Sequence, residues 1–223
     1  RYMKDYIKIG IEQGFISFNE EMSRITYIHQ NKQRNYNNPE EKVQAETFLR
    51  LIIDYKYPEN RIKQFEPVKM GVEIKEADIV VYDDDMCIRP HILIECKRQE
   101  VSEAEFQQAI NQAYSYAFAL PGEVKYVWVT SGIKSDYFEV DKNQNTRNQL
   151  PDIPQFGVKN VASYKYVYDA QYLPEESGKQ RFFDLSIIDQ SELTRRFKQA
   201  HEALWAGGQL NPSEAFDELD KLI

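Results

Sequence analysis

The chain has 223 residues, 42% of them hydrophobic and 29% charged, which predicts one sizeable globular domain, alone or with a small appendage. Its net charge of −8 disfavours a protein that coats nucleic acid by bulk electrostatic attraction, but it is compatible with a local site where a metal offsets the repulsion of phosphate. No apolar run reaches the roughly 18 residues that span a membrane, and the two cysteines form neither a disulfide framework nor a metal-ligand spacing, so a reduced, cytoplasmic protein is expected.

Residues 1–35 predict an N-terminal extension, with a short helix or strand followed by a β-hairpin through GFISFNEEMSRITYIHQ. The polar stretch QNKQRNYNNP is predicted as a loop. A long helix is predicted from Pro39 to about Tyr55, because Asn38 is a good N-cap, proline suits the first helical position and two glutamates follow in the first turn.

Three strand-like segments follow this helix, namely RIKQFEPV, EADIVVYD and HILIECKR. Ser102 and Glu105 then form a capping box, which opens a helix over about residues 103–120. VKYVWVTS and SDYFEVD are predicted as further strands and SYKYVYD as a short one. Residues 142–163, which contain NQNTRNQLPDIPQ, are predicted as a linker-like loop.

The order of helix, strands, helix and strand predicts the α/β fold class, with a mixed sheet flanked by helices. We expect the N-terminal hairpin extension in residues 1–35 and the main domain in residues 36–190. Residues 191–223 have the pattern of a C-terminal helical tail, which we expect to lead to a further domain outside this sequence.

The segment HILIECKR poses the central chemical question, because a strand with an interior composition ends in Glu95 and Lys97. If EADIVVYD and HILIECKR form an antiparallel hairpin with its tip at Met86 and Cys87, residue i faces residue 173 − i, and Asp78 lies opposite Glu95. Facing carboxylates repel each other unless a cation lies between them, and Mg²⁺ with carboxylate ligands suits a site that processes phosphate. The lysine, on the same face, would orient the nucleophile or stabilise developing charge.

A structural interpretation competes with this one, in which Lys97 forms a salt bridge with one of the two carboxylates at the strand end. The tripeptide [D/E]-x-K has little weight alone, because it occurs five times in the chain. Gln112 and Tyr116 lie four residues apart on the predicted helix. They are predicted either to reach a phosphate or a metal-bound water, or to be a surface glutamine and a tyrosine at the edge of the core.

Three segments together resemble the PD-(D/E)xK nuclease pattern with its QxxxY helix: the aspartate of EADIVVYD, the ECK of HILIECKR and the QAYSY of the following helix. The version here is similar to the N-terminal nuclease domain of type I restriction enzyme R subunits, over roughly residues 36–141. That resemblance implies a restriction-endonuclease-like core and Mg²⁺-dependent cleavage of double-stranded DNA, with Asp78 and Glu95 as metal ligands and Lys97 as the catalytic lysine.

The family also places a glutamate on the first helix, which here corresponds to Glu41 or Glu46. Ala77 stands where the proline of the pattern would be, and no G-x-x-x-x-G-K-[ST] motif for an ATP-driven motor occurs. LNPSEAFDELDKLI resembles the lead-in to an adenine-N6 DNA methyltransferase region without its catalytic motif. The implied partners are therefore duplex DNA and other restriction–modification subunits or domains, which carry the motor, methyltransferase and specificity functions.

Three hypotheses follow from the sequence. The first is a Mg²⁺-dependent endonuclease domain of a restriction–modification enzyme, that is, a deoxyribonuclease that hydrolyses phosphodiesters. The second is a non-catalytic, DNA-associated assembly module that retains the nuclease fold. The third is a repair exonuclease of the same superfamily. The set of Asp78, Glu95 and Lys97 favours catalysis, and the resemblance favours restriction over repair.

Overall fold

The computed structural model describes residues 4–185 and the isolated positions 190, 194, 195, 197 and 198. Contacts divide the chain into two units, Arg1–Phe183 and Asp184–Ile223. The predicted helical tail, residues 191–223, lies outside the described residues except for four of its positions, so it stays a prediction, as do the predicted domain boundaries.

In its described part the chain forms a mixed α/β fold. None of its helices there is long and apolar enough to cross a membrane. The helices are α1 (Tyr6–Glu12), α2 (Pro39–Ile53) and α3 (Glu103–Ala119), with short 3₁₀ turns at Glu59–Arg61 and Ala170–Tyr172. The strands are β1 (Ile16–Phe18), β2 (Arg24–Tyr27), β3 (Lys32–Asn35), β4 (Ile62–Met70), β5 (Glu73–Tyr82), β6 (Pro90–Cys96), β7 (Tyr126–Thr130), β8 (Ser135–Asp141), β9 (Thr146–Leu150), β10 (Tyr166–Val167) and β11 (Phe183–Asp184).

The main sheet of the described residues has six strands in the order β4-β5-β6-β7-β8-β9. Its strands are antiparallel except for β6 and β7, which are parallel because α3 connects them. One face packs against α2 and the N-terminal sheet of β1, β2 and β3, and the opposite face packs against α3. The predicted α/β class, with a mixed sheet flanked by helices, is confirmed.

Alternation along β6 divides its side chains between the two cores. Ile92 and Ile94 lie in the core beneath α2, whereas Leu93 lies in the core beneath α3. Because side chains of a strand alternate with a period of two, this division fixes which side chains face each helix. A slip of one residue would exchange the two sets.

The two long helices begin where local sequence signals predict. Asn38 caps α2, and its side chain accepts a hydrogen bond from the Glu40 N–H at 3.0 Å. Ser102 and Glu105 form a complete capping box at the start of α3. Both caps satisfy backbone donors that have no partner within the helix, which explains why the predicted starts hold.

Two segments predicted as loops contain strands. Lys32–Asn35 forms β3, which extends the predicted hairpin into a three-stranded sheet, and Thr146–Leu150 forms β9 at the edge of the main sheet. The side chains of β9 are largely exposed, so its polar composition resembles a loop, while its backbone pairs with β8. Pairing at a sheet edge leaves no hydrophobic alternation for a sequence pattern to detect.

The chain after β9 is anchored by a buried ion pair. Asp152 lies in the interior, where it accepts hydrogen bonds from the Tyr55 hydroxyl at 2.6 Å and the Lys165 ammonium at 3.2 Å. The same ammonium donates to the Tyr137 hydroxyl at 2.9 Å. Asp152 and Lys165 are therefore fixed to Tyr55, which follows α2, and to β8, so this segment is anchored at both ends rather than free as a linker.

The contribution of the α3 capping box to stability can be tested by substitution of Ser102. Ser102→Ala removes the acceptor for the Glu105 N–H, and we expect the free energy of unfolding to fall by about 1 kcal/mol. Ser115→Ala is the matched control on the same helix, because Ser115 is exposed and only donates back to the Asn111 carbonyl. Urea unfolding of the two variants should separate them, and equal effects would contradict the role of the cap.

Candidate active site

The β5–β6 hairpin brings the two predicted carboxylates together. Asp78 and Glu95 lie on these adjacent antiparallel strands, one residue beyond the Ile79↔Ile94 pair, on the face that packs against α3. A register shift between Val81 and Tyr82 lies towards the turn, away from Asp78. The predicted register, in which residue i faces residue 173 − i, is confirmed for the pairs Ile79↔Ile94, Val80↔Leu93 and Val81↔Ile92.

The Asp78 carboxylate is fixed by the backbone of the neighbouring strand. Its Oδ2 atom accepts a hydrogen bond from the Cys96 N–H at 2.6 Å. On the opposite side, the Gln44 amide of α2 donates to the Asp78 carbonyl at 2.9 Å. Burial raises the pKa of Asp78 to about 6, because removal from water disfavours the charged form more than this backbone bond favours it.

The Glu95 carboxyl is more deeply buried, with only 2% of the residue exposed. Its Oε1 atom accepts from the Lys97 ammonium at 3.0 Å, but its Oε2 atom is buried without a hydrogen-bond partner. Burial, and then the charge of Asp78, raise the pKa of Glu95 to about 8. A carboxyl in this environment holds a proton near neutral pH unless a cation compensates its charge.

The Lys97 ammonium links the carboxylates to an open cleft. Its side chain is 21% exposed, and its backbone N–H donates to the Thr130 carbonyl at 2.8 Å, which fixes the chain as it leaves β6. Burial alone would lower the pKa of Lys97, but the charges of Glu95 and Asp78 outweigh it and raise the pKa. The ammonium therefore stays charged beside the site.

A cleft of about 260 Å³ lies beside Lys97. Gln112 lines it and donates to the Tyr116 hydroxyl at 2.8 Å, while Tyr116 is buried in the core beneath α3. Gln112 and Lys97 therefore line the same cleft, and the hydrogen bond to the Tyr116 hydroxyl holds the Gln112 amide in place. The lining residues are Glu40, Lys97, Arg98, Val101, Glu105, Gln108, Ala109 and Gln112.

The two glutamates proposed on α2 have different surroundings. Glu41 is 5% exposed and accepts a hydrogen bond from the Tyr27 hydroxyl at 2.5 Å. Burial raises its pKa to about 7, and the charge of Asp78 adds to the increase. Glu41 therefore lies within electrostatic reach of the site.

Glu46 does not join this group, contrary to one of the two expectations for α2. The charges that act on it are those of Arg50 and Asp5, and burial raises its pKa. Five residues along a helix correspond to a rotation of roughly 140°, so Glu46 faces α1 when Glu41 faces the sheet. The physical reason is the rotation of α2, which only tertiary packing determines.

Sequence reasoning missed Glu40 as a residue of the site. It lines the cleft beside Lys97, and its charge contributes to the raised pKa values of Asp78 and Glu95. The sequence pattern indicates for Glu40 only the role of an acidic residue in the first turn of α2. The available signal was the cap at Asn38, which places the start of α2 near the strand ends.

The donor set suits a hard divalent cation. Within the described residues, no three His, Cys, Asp or Glu side chains lie close enough together to form a complete cage. The pair of Asp78 and Glu95 does supply carboxylate oxygens, one of them buried and unpartnered. Mg²⁺ commonly binds through one or two carboxylates and keeps several waters, so these residues fit it.

Comparison with known proteins places the chain among restriction-enzyme domains. Residues 39–154 match the family described as the type I restriction enzyme R protein N terminus. No curated protein matches the chain. A DUF820 protein from Anabaena variabilis ATCC 29413, described as a candidate nuclease, aligns with a TM-score of 0.34 and 15% identity over 66% of this chain and 85% of that one.

The raised pKa of Glu95 predicts how stability depends on pH in metal-free buffer. The folded state holds a proton that the unfolded state releases, so this contribution is complete below the ordinary glutamate pKa and is lost as pH rises through about 8. We expect the free energy of unfolding of the wild type to fall between pH 5 and 8, relative to Glu95→Gln, by up to about 1.4 kcal/mol per pH unit. Urea unfolding in EDTA across this range measures the difference. Parallel curves for the two proteins would contradict the raised pKa.

Proposed function

The chain belongs to the family of type I restriction enzyme R protein N termini, and from that premise we propose that it is a Mg²⁺-dependent endonuclease domain that cleaves duplex DNA within a restriction–modification enzyme. The observation that carries the proposal is the buried Glu95 carboxyl, which lies within reach of the charge of Asp78, pairs with Lys97 and keeps one oxygen without a partner. Buried like charges at a strand end are costly unless a cation binds between them.

In this proposal Asp78 and Glu95 hold the Mg²⁺ ion. When bound, the ion lowers the pKa of a coordinated water and stabilises negative charge on the phosphate. The contact between Asp78 Oδ2 and the Cys96 N–H keeps that carboxylate in place, so little reorganisation is needed for it to bind a cation.

Lys97 acts on the scissile phosphate in this proposal. Its ammonium is held by Glu95 at the edge of the cleft, where it can donate a hydrogen bond to a phosphate oxygen or orient the attacking water. Gln112, held by Tyr116, is positioned on the same cleft wall to orient the phosphate or a water. Duplex DNA is the substrate class that the family premise favours.

Partners follow from the charge of the chain. With a net charge of −8, this domain gains little affinity for DNA from bulk electrostatics. We therefore assign the grip on DNA and the choice of sequence to other restriction–modification subunits or domains, which supply motor, methyltransferase and specificity functions. The cleft of this domain would then receive DNA that its partners have already positioned.

A second candidate function rests on the short ion pair between Lys97 and Glu95 at 3.0 Å. If that pair is purely structural, the domain is a non-catalytic assembly module that retains the fold. The two candidates predict opposite responses to removal of a site charge, because breaking a buried ion pair is strongly destabilising whereas relieving like-charge repulsion is not.

The substitution Asp78→Asn distinguishes these candidates. An asparagine still accepts from the Cys96 N–H, so in EDTA we expect stability to stay unchanged or rise by about 1 kcal/mol as the repulsion of Glu95 is removed. Mg²⁺ at about ten times its dissociation constant should stabilise the wild type by roughly 1.4 kcal/mol and the variant not at all. Thermal melts of both proteins with EDTA and with Mg²⁺ give the answer. A loss of several kcal/mol in EDTA, with no response of the wild type to Mg²⁺, would favour the assembly module.

Cleavage itself can be tested with a control supplied by the chain. Lys97→Ala should lower Mg²⁺-dependent cleavage of a supercoiled plasmid by about 10²-fold or more while Mn²⁺ still binds. Lys75→Ala is the matched control, because Lys75 also pairs with a glutamate two residues earlier on a strand, at 2.6 Å, but lies exposed on the β4–β5 hairpin. The control should cut like the wild type. A wild-type chain that neither binds Mn²⁺ nor cuts DNA would refute the proposal.

A further inference from the structure

The ladder between β4 and β5 is interrupted at the position of Asp78. Phe65 of β4 is in register with Asp78, but these two residues are not paired, whereas the residues on either side of them are, as Gln64↔Ile79 and Glu66↔Ala77. Both flanking pairs belong to one register, so the interruption adds no residue to either strand. It is a local change of backbone conformation within a continuous hairpin, at a proposed ligand of the cation.

Phe65 has a backbone conformation that extended strands do not use. Its φ is 55°, in the left-handed region, which is unfavourable for a bulky residue such as phenylalanine. The ring is nevertheless held, because only 8% of the residue is exposed and the Arg34 guanidinium lies 3.6 Å from the ring centroid. Such a conformation persists only where the surrounding structure imposes it, and conformations of this kind cluster at functional sites.

The interruption also exchanges the two faces of the hairpin. Ile62 of β4 and Ile79 of β5 lie in the core beneath α2. Val68 and Ala77, farther along the hairpin towards its tip, lie in the core beneath α3. The two residues of each strand are separated by an even number of positions, so regular alternation would place them on the same face. The alternation is therefore broken on both strands, in the interval that contains the unpaired position.

The same position is where β5 separates from β6. Both strands continue past the pair Ile79↔Ile94, β5 to Glu73 and β6 to Cys96, but the ladder between them does not. The Cys96 N–H donates to Asp78 Oδ2 at 2.6 Å instead of to a backbone carbonyl of β5. The two strands therefore diverge at Asp78, and a side chain rather than paired backbone joins them there.

The backbone of Asp78 is bound from the opposite layer. Its carbonyl accepts a hydrogen bond from the Gln44 amide of α2 at 2.9 Å. Backbone carbonyls within a fold need a donor, and the Gln44 side chain, which is only 4% exposed, supplies one where the ladder does not. This contact joins the α2 layer directly to a residue whose carboxylate lies on the α3 face.

From this geometry we infer that the interruption at Phe65 and Asp78 positions Asp78 for the cation, and that Gln44 is a positioning residue that holds it there. The left-handed Phe65 lets β4 and β5 turn together away from β6, and Gln44 holds the Asp78 backbone that has left the ladder. The inference rests on the proposed function and deepens it, because it makes metal binding depend on two residues outside the set of Asp78, Glu95 and Lys97.

The role of Gln44 can be tested against a second buried glutamine that also donates to a backbone carbonyl. Gln44→Met removes the amide at similar volume, whereas Gln155→Met removes a 2.8 Å bond to the Arg181 carbonyl, outside the candidate site. We expect Gln44→Met to weaken Mn²⁺ binding by about tenfold, as is usual when a partner of a metal ligand is lost. The Mg²⁺ concentration for half-maximal plasmid cleavage should rise by the same factor. Gln155→Met should change neither quantity, although both variants should melt at a lower temperature.

The conformation of Phe65 can be tested by two substitutions that remove the same ring. Phe65→Gly allows the left-handed conformation without steric cost, whereas Phe65→Val disfavours it, because a β-branched side chain is poorly tolerated there. Both variants lose a buried ring and should melt at a lower temperature. We expect Phe65→Val to weaken Mn²⁺ binding as much as Gln44→Met does, and Phe65→Gly to bind like the wild type. Calorimetric titration with Mn²⁺ measures all of these proteins without relying on cleavage.

Three results would overturn the inference. If the wild type binds Mn²⁺ and both Gln44→Met and Phe65→Val bind it equally well, the interruption has no positioning role and the proposed function still stands. If Gln155→Met or Phe65→Gly weakens binding as much as its counterpart, the effect is one of general stability. If the wild type neither binds Mn²⁺ nor cleaves DNA, the proposed function fails and this inference fails with it.

Discussion

The burial of two carboxyls, Asp78 and Glu95, at one strand end is the constraint on which the rest of the structure depends. Two carboxyls lie at the end of a hairpin whose paired residues 79–81 and 92–94 are apolar and buried. The raised pKa values of both groups, about 6 and about 8, express the cost of keeping them there. The fold accepts this cost by surrounding the pair with fixed polar contacts, namely the Cys96 N–H and the Lys97 ammonium. Such an arrangement is expected where charge is needed for binding rather than for stability.

The sequence predicted those parts of the fold that local chemistry determines. The helix caps at Asn38 and Ser102 depend only on those residues and their immediate neighbours in the sequence. Both helices start where those residues predict. The register of the β5–β6 hairpin followed from its turn and from the period of two, so the pairing of Ile79 with Ile94, next to Asp78 and Glu95, could be derived from the sequence. Strands β3 and β9 were missed because their side chains are mostly polar and exposed, and backbone pairing leaves no trace in composition.

The parts of the site that depend on tertiary packing could not be predicted from the sequence. The rotation of α2 decides that Glu41 faces the sheet, that Glu40 lines the cleft and that Glu46 faces elsewhere, yet all three are glutamates of one helix. Tyr27 lies 14 residues before Glu41 in a segment with no chemical motif, so nothing in its spacing pointed to the contact. Ile16, Ile25 and Tyr27 share a core with α2, so the N-terminal extension is an integral layer of this unit.

The register shift between Val81 and Tyr82 has a consequence for variation in length. It lies between the β5–β6 turn and the paired carboxylates, roughly 10 Å along the strand from Asp78. The turn beyond it, with exposed Met86 and Ile88, is held by its own contacts, such as the Asp84 carboxylate with the Arg89 N–H at 2.7 Å, and by the Arg61 guanidinium, which donates to the Asp85 carboxylate at 2.6 Å. Residues added or deleted in this turn can therefore be absorbed at the irregularity without changing which side chains face α3. Related chains can diverge here, and a fluorophore or epitope grafted at this tip would report on the domain without entering its chemistry.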